Sequence, residues 1–400
     1  MSPESVIAWR EAMTRLADQY FFDLLRMYLG AIKTPFNKQR LIEELSAFLR
    51  KKSTKRRILE SLDAEDLLVV AAVREIQSPT QQRIVSLLSP SSSFSSVYER
   101  VLNLEERLII YRKGDEFSRA YAVNPLLEDE LAPYANRAAL FYPLSRGTSA
   151  HAAMRVDDLV LAALYGVFLL EGDSVKNDGT LRKKTMTGIL ERISRLEGNE
   201  ALAALLVTAL RNLSLLTLVD GRLVPDSSRW QAFAQGTPQE RVAYVAAAAT
   251  GRHQRERLQR AAQGFIDYLS ALEPGARYDE AHLRRLSFLI SEREPAAKLS
   301  RARTRFSSMI GDDAGTTDPA ESGGVDYTAI ALLFGALVDR LDGTFERNEA
   351  FFDTALPSNP SLVVSPTFEV IVFPGLPLSA LLPLVAFLEV RDVQTAGQFV

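Results

Sequence analysis

The chain has 400 residues, of which 47% are hydrophobic and 24% charged, with a formal net charge of −3. This length exceeds one ordinary hydrophobic core and predicts more than one domain, while the small net charge excludes a global field attracting nucleic acid or membrane. Because the chain has no cysteine, disulfides, thiolate zinc sites and cysteine nucleophiles are excluded. Its three histidines lie far apart in sequence, so we expect no metal site: His151, His253 and His282.

The sequence also lacks the patterns of secretion and membrane insertion. Residues 1–13 carry charges where a signal peptide needs an apolar centre. The longest nearly polar-free run, 159–170, is shorter than the roughly 20 residues that span a bilayer. We therefore expect a soluble, cytoplasmic protein with no membrane contact.

The first predicted module covers residues 1–145 and ends in a β-hairpin. Apolar spacing predicts an amphipathic helix over 6–29 and another after Asn37, a predicted N-cap. Asp63 is expected to cap a further helix, and two more short helices follow before strand-like runs around Lys-Gly-Asp at 113–115. Three short helices followed by a hairpin are the element order of a winged helix.

This element order recurs twice, although the residues themselves differ. The second predicted module, 146–236, closes at the Asp-Gly pair 220–221, and the third, 237–357, begins with connecting helices and closes at Asp-Gly 342–343. Asp-Gly between β-prone runs predicts a tight hairpin, because a type I′ turn needs positive φ at both central positions. Residues 308–324 lack apolar periodicity and predict a mobile loop inside the third module.

After residue 357 the sequence becomes richer in β-formers. Two β-rich runs, a Leu-rich helix and a final strand predict that 358–400 is the start of a small α/β domain. A domain ending on that strand would leave an unpaired apolar edge. We therefore expect either a fragment of a longer protein or pairing of the last strand with another element. The predicted fold class is mainly α (α+β), with tandem winged-helix-like modules and short hairpin wings.

Three stretches carry a family resemblance. The strand near residue 364 is similar to a "VQPNFEVVV" pattern, with Ser365 and Thr367 differing and these residues matching: Val364, Pro366, Phe368, Glu369 and Val370. A "DGTLxKRDLxRL" pattern is matched by Asp178, Gly179, Thr180, Leu181 and Lys183, and residues 221–233 are similar to "GxLxPTxxxxxWL". These patterns resemble bacterial helicase-associated proteins whose domain is related to the N-terminal domain of XPB-type DNA helicases. The resemblance implies tandem winged-helix-like modules followed by a small α/β domain.

Residues 279–282 spell DEAH, the Mg²⁺-binding motif of helicase ATPases. That function needs an apolar strand just before the motif and a phosphate-binding P-loop elsewhere. The preceding residues, PGARY, predict a turn, and no G-x-x-x-x-G-K-[ST] occurs. We interpret Asp279 as a helix N-cap. Without a cysteine or a G-x-S-x-G serine, covalent catalysis has no candidate either, so we expect no enzyme and no cofactor.

Nucleic-acid contacts have two candidate sources. One is a cationic cluster that could engage several phosphates or could equally be a solvated helix end: Arg50, Lys51, Lys52, Lys55, Arg56 and Arg57. The other is the first module, whose last helix and wing carry Arg100, Asn103, Arg112, Lys113 and Arg119, diluted by Glu99, Glu105 and Glu106. The corresponding helices of the later modules are apolar almost all round and are predicted to be packing or protein-binding units.

The leading hypothesis is a non-enzymatic accessory protein that contacts double-stranded DNA through its first module and a helicase or other protein through the later ones. The alternative is a protein-interaction scaffold without nucleic-acid contact. A third possibility is an ATPase whose motor lies beyond residue 400.

Overall fold

The computed structural model describes most of the chain: residues 3–32, 37–89, 92–114, 120–170, 174–176, 180–292, 305–306, 308–309, 325–353 and 362–400. The fold is mainly helical with small antiparallel sheets, which confirms the predicted mainly α (α+β) class. Contacts divide the chain into two compact units. The first unit is Met1–Tyr142 with Glu280–Arg293, and the second is Pro143–Asp279 with Glu294–Val400.

The described helices are α1 (Pro3–Arg15), α2 (Asp18–Leu29), α3 (Lys38–Leu49), α4 (Lys52–Glu60), α5 (Ala64–Glu75), α6 (Gln81–Leu88), α7 (Phe94–Glu106), α8 (Glu128–Leu131), α9 (Arg137–Leu140), α10 (Asp158–Leu170), α11 (Lys183–Arg192), α12 (Glu200–Asn212), α13 (Ser227–Ala234), α14 (Pro238–Ala249), α15 (Arg255–Ser270), α16 (Glu280–Ser291), α17 (Tyr327–Phe334) and α18 (Leu378–Phe387). The described strands are β1 (Ile110–Lys113), β2 (Ala120–Val123), β3 (Ser145–Arg146), β4 (Leu216–Val219), β5 (Arg222–Pro225), β6 (Ala276–Tyr278), β7 (Leu337–Asp339), β8 (Phe345–Arg347), β9 (Leu362–Val364), β10 (Val370–Val372), β11 (Val390–Val393) and β12 (Gly397–Phe399). Short 3-10 turns cover Ser194–Leu196 and Glu349–Phe351.

Helix starts in the first unit follow the predicted capping. The Asn37 side chain accepts hydrogen bonds from the N–H groups of Gln39 and Arg40, so the predicted N-cap of α3 is confirmed. Asp63 caps α5 in a reciprocal capping box with Asp66. Capping satisfies backbone donors that a helix start otherwise leaves unpaired.

Two apolar cores fill the first unit. One lies among α1, α2 and α3 and includes the fully buried Trp9 and Phe21. The other lies among α5, α6 and α7 and includes Val70 and Leu104. Ile58 of α4 packs against both cores, so α4 is anchored by its apolar side and leaves its other side to solvent.

In the second unit, α10 is a buried core helix. Every residue from Leu159 to Phe168 is buried, because this helix is apolar all round and packs against α18, β5 and β11. The longest polar-free run of the sequence is therefore an interior helix. Near it, α14 packs between α12 and α15.

All described sheets are antiparallel. Two are the isolated hairpins β1–β2 and β4–β5, and two have four strands, in the orders β3-β6-β8-β7 and β11-β12-β10-β9. The last strand, β12, lies between β10 and β11. The expected pairing of this strand is present, and its partners are strands of the same sheet.

The contacts group the chain differently from the predicted domains. Helix α16, assigned from sequence to the third module, belongs to the first unit and packs on α6 and α9, whereas the third hairpin β7–β8 lies in the second unit. Residues 362–400 belong to the second unit, because α18 covers α10. The predicted mobile loop, 308–324, lies outside the described residues apart from 308–309.

Each of the three hairpins predicted as wings, β1–β2, β4–β5 and β7–β8, is entered through the same backbone arrangement. The helix before it ends at a residue with positive φ: Leu108 (52°), Ser214 (55°) and Gly335 (76°). The next N–H donates to the carbonyl five residues earlier, as in a Schellman motif: Ile109 to Leu104 at 2.9 Å, Leu215 to Leu210 at 2.9 Å and Ala336 to Ala331 at 2.8 Å. The carbonyls of Ile109, Leu215 and Ala336 then accept the N–H of Asn124, Asp226 and Asn348, just after the second strand.

A buried side chain strengthens this arrangement. Asn124 Nδ2 donates to the carbonyl of Leu108, and Asn348 Nδ2 donates to that of Gly335, each at 2.7 Å. In the second hairpin Asp226 has no N–H donor in its side chain, and Trp230 Nε1 donates to the carbonyl of Leu215 at 2.9 Å instead. The recurrence seen in element order therefore extends to individual hydrogen bonds.

Candidate nucleic-acid interface

The cationic cluster lies where α3 ends and α4 begins. Arg50 is the C-cap of α3, and Lys51 is the N-cap of α4 with φ −65° and ψ 131°. The Lys51 side chain forms no capping hydrogen bond, so the first N–H groups of α4 have no cap. Such a helix start carries partial positive charge and donors that suit an anion.

Four cations in this region are exposed, three of them around the start of α4 and Arg57 in its last turn, and among the described residues none has a carboxylate within salt-bridge distance. They form what we call the basic turn: Arg50, Lys51, Lys52 and Arg57. Lys51 Nζ lies 5.5 Å from the centroid of the Phe48 ring, a cation–π distance that leaves the ammonium at the surface. The basic turn thus keeps its charge available to a partner.

The other two cations of the cluster are paired. Lys55 Nζ donates to both carboxylate oxygens of Glu130, at 2.7 and 2.8 Å, and its side chain is only 17% exposed. Arg56 Nε donates to Glu60 Oε1 at 2.8 Å, but this pair is on the surface and is exchanged at little cost. Lys55 is therefore structural, while Arg56 is able to join the basic turn.

Arg100 does not point to the open face of α7. Its Nη1 donates to Asp63 Oδ2 at 2.8 Å and to Asp66 Oδ1 at 2.9 Å, and its Nε lies 2.8 Å from Glu65 Oε2. The N–H of Asp66, followed by Arg100, holds the pKa of Asp63 below its ordinary value. Sequence reasoning missed this acidic cluster, since the Asp-x-Glu-Asp spacing is visible but its partner lies 37 positions away.

The remaining candidates in the first unit are mostly engaged. Asn103 is exposed and accepts from Arg107 Nη1 at 3.2 Å. On the hairpin, Arg112 binds Glu105 with two contacts, at 2.9 and 3.1 Å, and lies over the Tyr121 ring. Lys113 is exposed, and Arg119 lies outside the described residues. The hairpin therefore brings Arg112 to an acid and leaves Lys113 open.

The outward face of α7 is acidic and aromatic. Glu99 and Glu106 are exposed, and Phe94 and Tyr98 are 66% and 40% exposed with stacked rings 6.2 Å apart. We call these residues, with Asn103, the α7 face. Carboxylates repel phosphate, so this face does not suit the role of a major-groove reading helix.

The residues of the DEAH sequence at 279–282 form contacts within the fold. The predicted turn is present at Pro274 and Gly275, but Ala276–Tyr278 form a short strand, β6, that directly precedes Asp279 and pairs with β3 and β8. Glu280 pairs with Arg284 in the first turn of α16, and the buried His282 ring lies 4.3 Å from the Tyr142 ring. Among the described residues, no group of three or more His, Cys, Asp or Glu could hold a metal ion.

Comparison with known proteins gives two findings. Residues 1–50 match the family model TP_0021_N, N-terminal domain. A protein of Treponema pallidum (strain Nichols), described as an uncharacterized protein, is 28% identical to the chain over 76% of it and 48% of the relative. The chain thus spans about half the length of the curated relative it matches. In the part of the chain that the structure describes, no helix is both long and apolar enough for a transmembrane span.

Proposed function

We propose that this chain is a non-enzymatic accessory protein that contacts the phosphate backbone of double-stranded DNA through the basic turn. The observation that carries the proposal is the set of exposed cations on and around the uncapped start of α4 that no described carboxylate pairs with. Lysine and arginine at such a place neutralise phosphates and release counterions. We also propose a helicase as a further partner, which the sequence resemblance supports, and a cytoplasmic location.

The binding mode follows from what surrounds the basic turn. Phosphate contacts position a protein on DNA but do not read its sequence. The helix expected to read bases, α7, has its arginine bound to three carboxylates and exposes glutamates instead. We therefore expect binding that is independent of sequence and falls steeply with salt.

The test is anisotropy of a labelled mixed-sequence duplex titrated with the full chain at low and rising salt. The variant K51A/K52A is expected to weaken binding and lower the slope of log affinity against log salt by about 2, because each lost phosphate contact removes roughly 0.9. The matched control K183A/K184A removes two exposed lysines from the start of α11 in the second unit. No binding at tens of micromolar protein, or equal losses in both variants, would refute the proposal.

A second candidate function, a protein-interaction scaffold without nucleic-acid contact, is favoured by the α7 face. Its stacked aromatics and free carboxylates suit a protein partner and not DNA. A chain that fails to bind duplex at low salt but binds a protein ligand through α7 would support this alternative.

A further inference from the structure

We propose that the α7 face is a docking surface for a basic amphipathic helix of another protein. This inference is independent of the DNA contact, because it concerns different residues and a partner of opposite charge. It rests on a comparison of α7 with α12, the corresponding helix of the second unit.

The two helices occupy the same position in the repeated arrangement. Each has 13 residues and is followed two residues later by the positive-φ residue that starts the hairpin, Leu108 or Ser214. Counting back from that residue makes Asn103 of α7 equivalent to Ala209 of α12. The inner faces agree under this alignment, since Val101 and its equivalent Val207 are both buried.

The outer faces differ, because α12 is covered and α7 is not. Helix α14 packs along α12, where Ala209 is 0% exposed and Asn212 Nδ2 donates to the carbonyl of Ala248 at 2.9 Å. On α7 the equivalent positions, Asn103 and Glu106, are exposed. The second unit thus shows what covers the part of this face that holds Asn103 and Glu106: a helix lying alongside.

The chemistry of the α7 face defines the partner. Glu99 and Glu106 are exposed, and among the described residues neither has a cation within salt-bridge distance. Arg100, the one cation within α7, is held by the acidic cluster. Beside the carboxylates, the Phe94 and Tyr98 rings offer apolar area. A helix with lysines or arginines flanking an apolar stripe complements both features.

The test is fluorescence anisotropy of a labelled Lys/Leu amphipathic helical peptide titrated with the full chain. The variant E99K/E106K is expected to weaken binding about tenfold or more, because two attractive charges become repulsive. The variant F94A/Y98A is expected to weaken binding as well, through the lost aromatic contact area. Circular dichroism melting confirms that each variant remains folded.

The matched control is E43K/E191K, which reverses two exposed glutamates on α3 and α11 and changes the net charge equally. Retained binding in this control together with loss in E99K/E106K supports the docking surface. Equal loss in both variants shows an effect of net charge alone and overturns the proposal. So does equal binding of a Glu/Leu peptide that keeps the same leucines.

Discussion

Single buried side chains stabilise the backbone between a helix and the hairpin that follows it. Asn124 and Asn348 are both fully buried, and each donates to the carbonyl of the positive-φ residue that ends a helix. Their side-chain oxygens accept the N–H groups of Leu126 and Ala350, so donor and acceptor are both used. A buried amide whose N–H and oxygen are both hydrogen-bonded stabilises the positive-φ backbone at the start of the hairpin, a conformation that most residues disfavour.

The asparagines cannot be replaced by their nearly isosteric acids. Asn124→Asp and Asn348→Asp are each expected to lower the free energy of unfolding by about 2 kcal/mol or more, because a carboxylate cannot donate and is left buried. Urea denaturation followed by circular dichroism measures this loss. The control Asn103→Asp changes an exposed asparagine and should stay within about 0.5 kcal/mol of the native chain. Equal midpoints for all three variants would contradict the role of the buried amides.

At the scale of elements, the start of α5 shows how a capping sequence becomes a contact between helices. Asp63 and Asp66 form the capping box of α5 and also bind Arg100 of α7. The two acids therefore accept hydrogen bonds from backbone N–H groups at the start of α5 and also connect α5 to α7. This double use pairs Arg100 with carboxylates and leaves the α7 face acidic.

The capping box predicts an acid-dependent stability. The pKa of Asp63 is lowered in the folded chain, first by the Asp66 N–H and then by Arg100. A carboxyl group with a lowered pKa stabilises the folded chain at pH values above its ordinary pKa of about 4. This contribution is lost as the pH falls through the pKa that the group has in the folded chain. We expect the melting temperature of Asp63→Asn to fall less steeply between about pH 5 and pH 2 than that of the native chain. Parallel curves for the two proteins would contradict this coupling.

At the scale of the whole molecule, segments far apart in sequence complete one core. In the second unit α10 is covered by α18, and Arg241 of α14 is buried in an ion pair with Asp158 at the start of α10. Asp158 Oδ2 also accepts the N–H of Leu378 at the start of α18, at 3.2 Å. The C-terminal segment is thus part of the second unit's core.

Truncation at the sequence-predicted boundary tests this arrangement. A chain ending at residue 357 loses α18 and β11, so the apolar surface of α10 that they cover would meet water. We expect the backbone amides of 159–168 to exchange rapidly by hydrogen–deuterium mass spectrometry, while those of the buried α7 residues Val97, Val101 and Leu104 keep their protection. Native-like protection of 159–168 in the shortened chain would show that 358–400 is a separate domain.

Local features could be predicted from sequence, whereas charge placement could not. Helix starts at Asn37 and Asp63 and the hairpin at Asp220-Gly221 depend on neighbouring residues, and the structure has all three. The availability of Arg100 and Arg112 depends on acids that the fold brings close, and both are paired. The basic turn stays available because no described carboxylate lies within salt-bridge distance of its four cations.

The sequence by itself determined the class of elements, their caps and turns, and the exclusion of thiol chemistry, since these follow from residue types over short windows. Only the tertiary structure decided that α16 joins the first unit, that β12 is a central strand and that α10 is interior. It also decided which cations stay free and which helix face stays open. The physical reason is that burial and ion pairing depend on contacts between segments distant in the chain. The periodicity within one segment does not indicate which other segment it will contact.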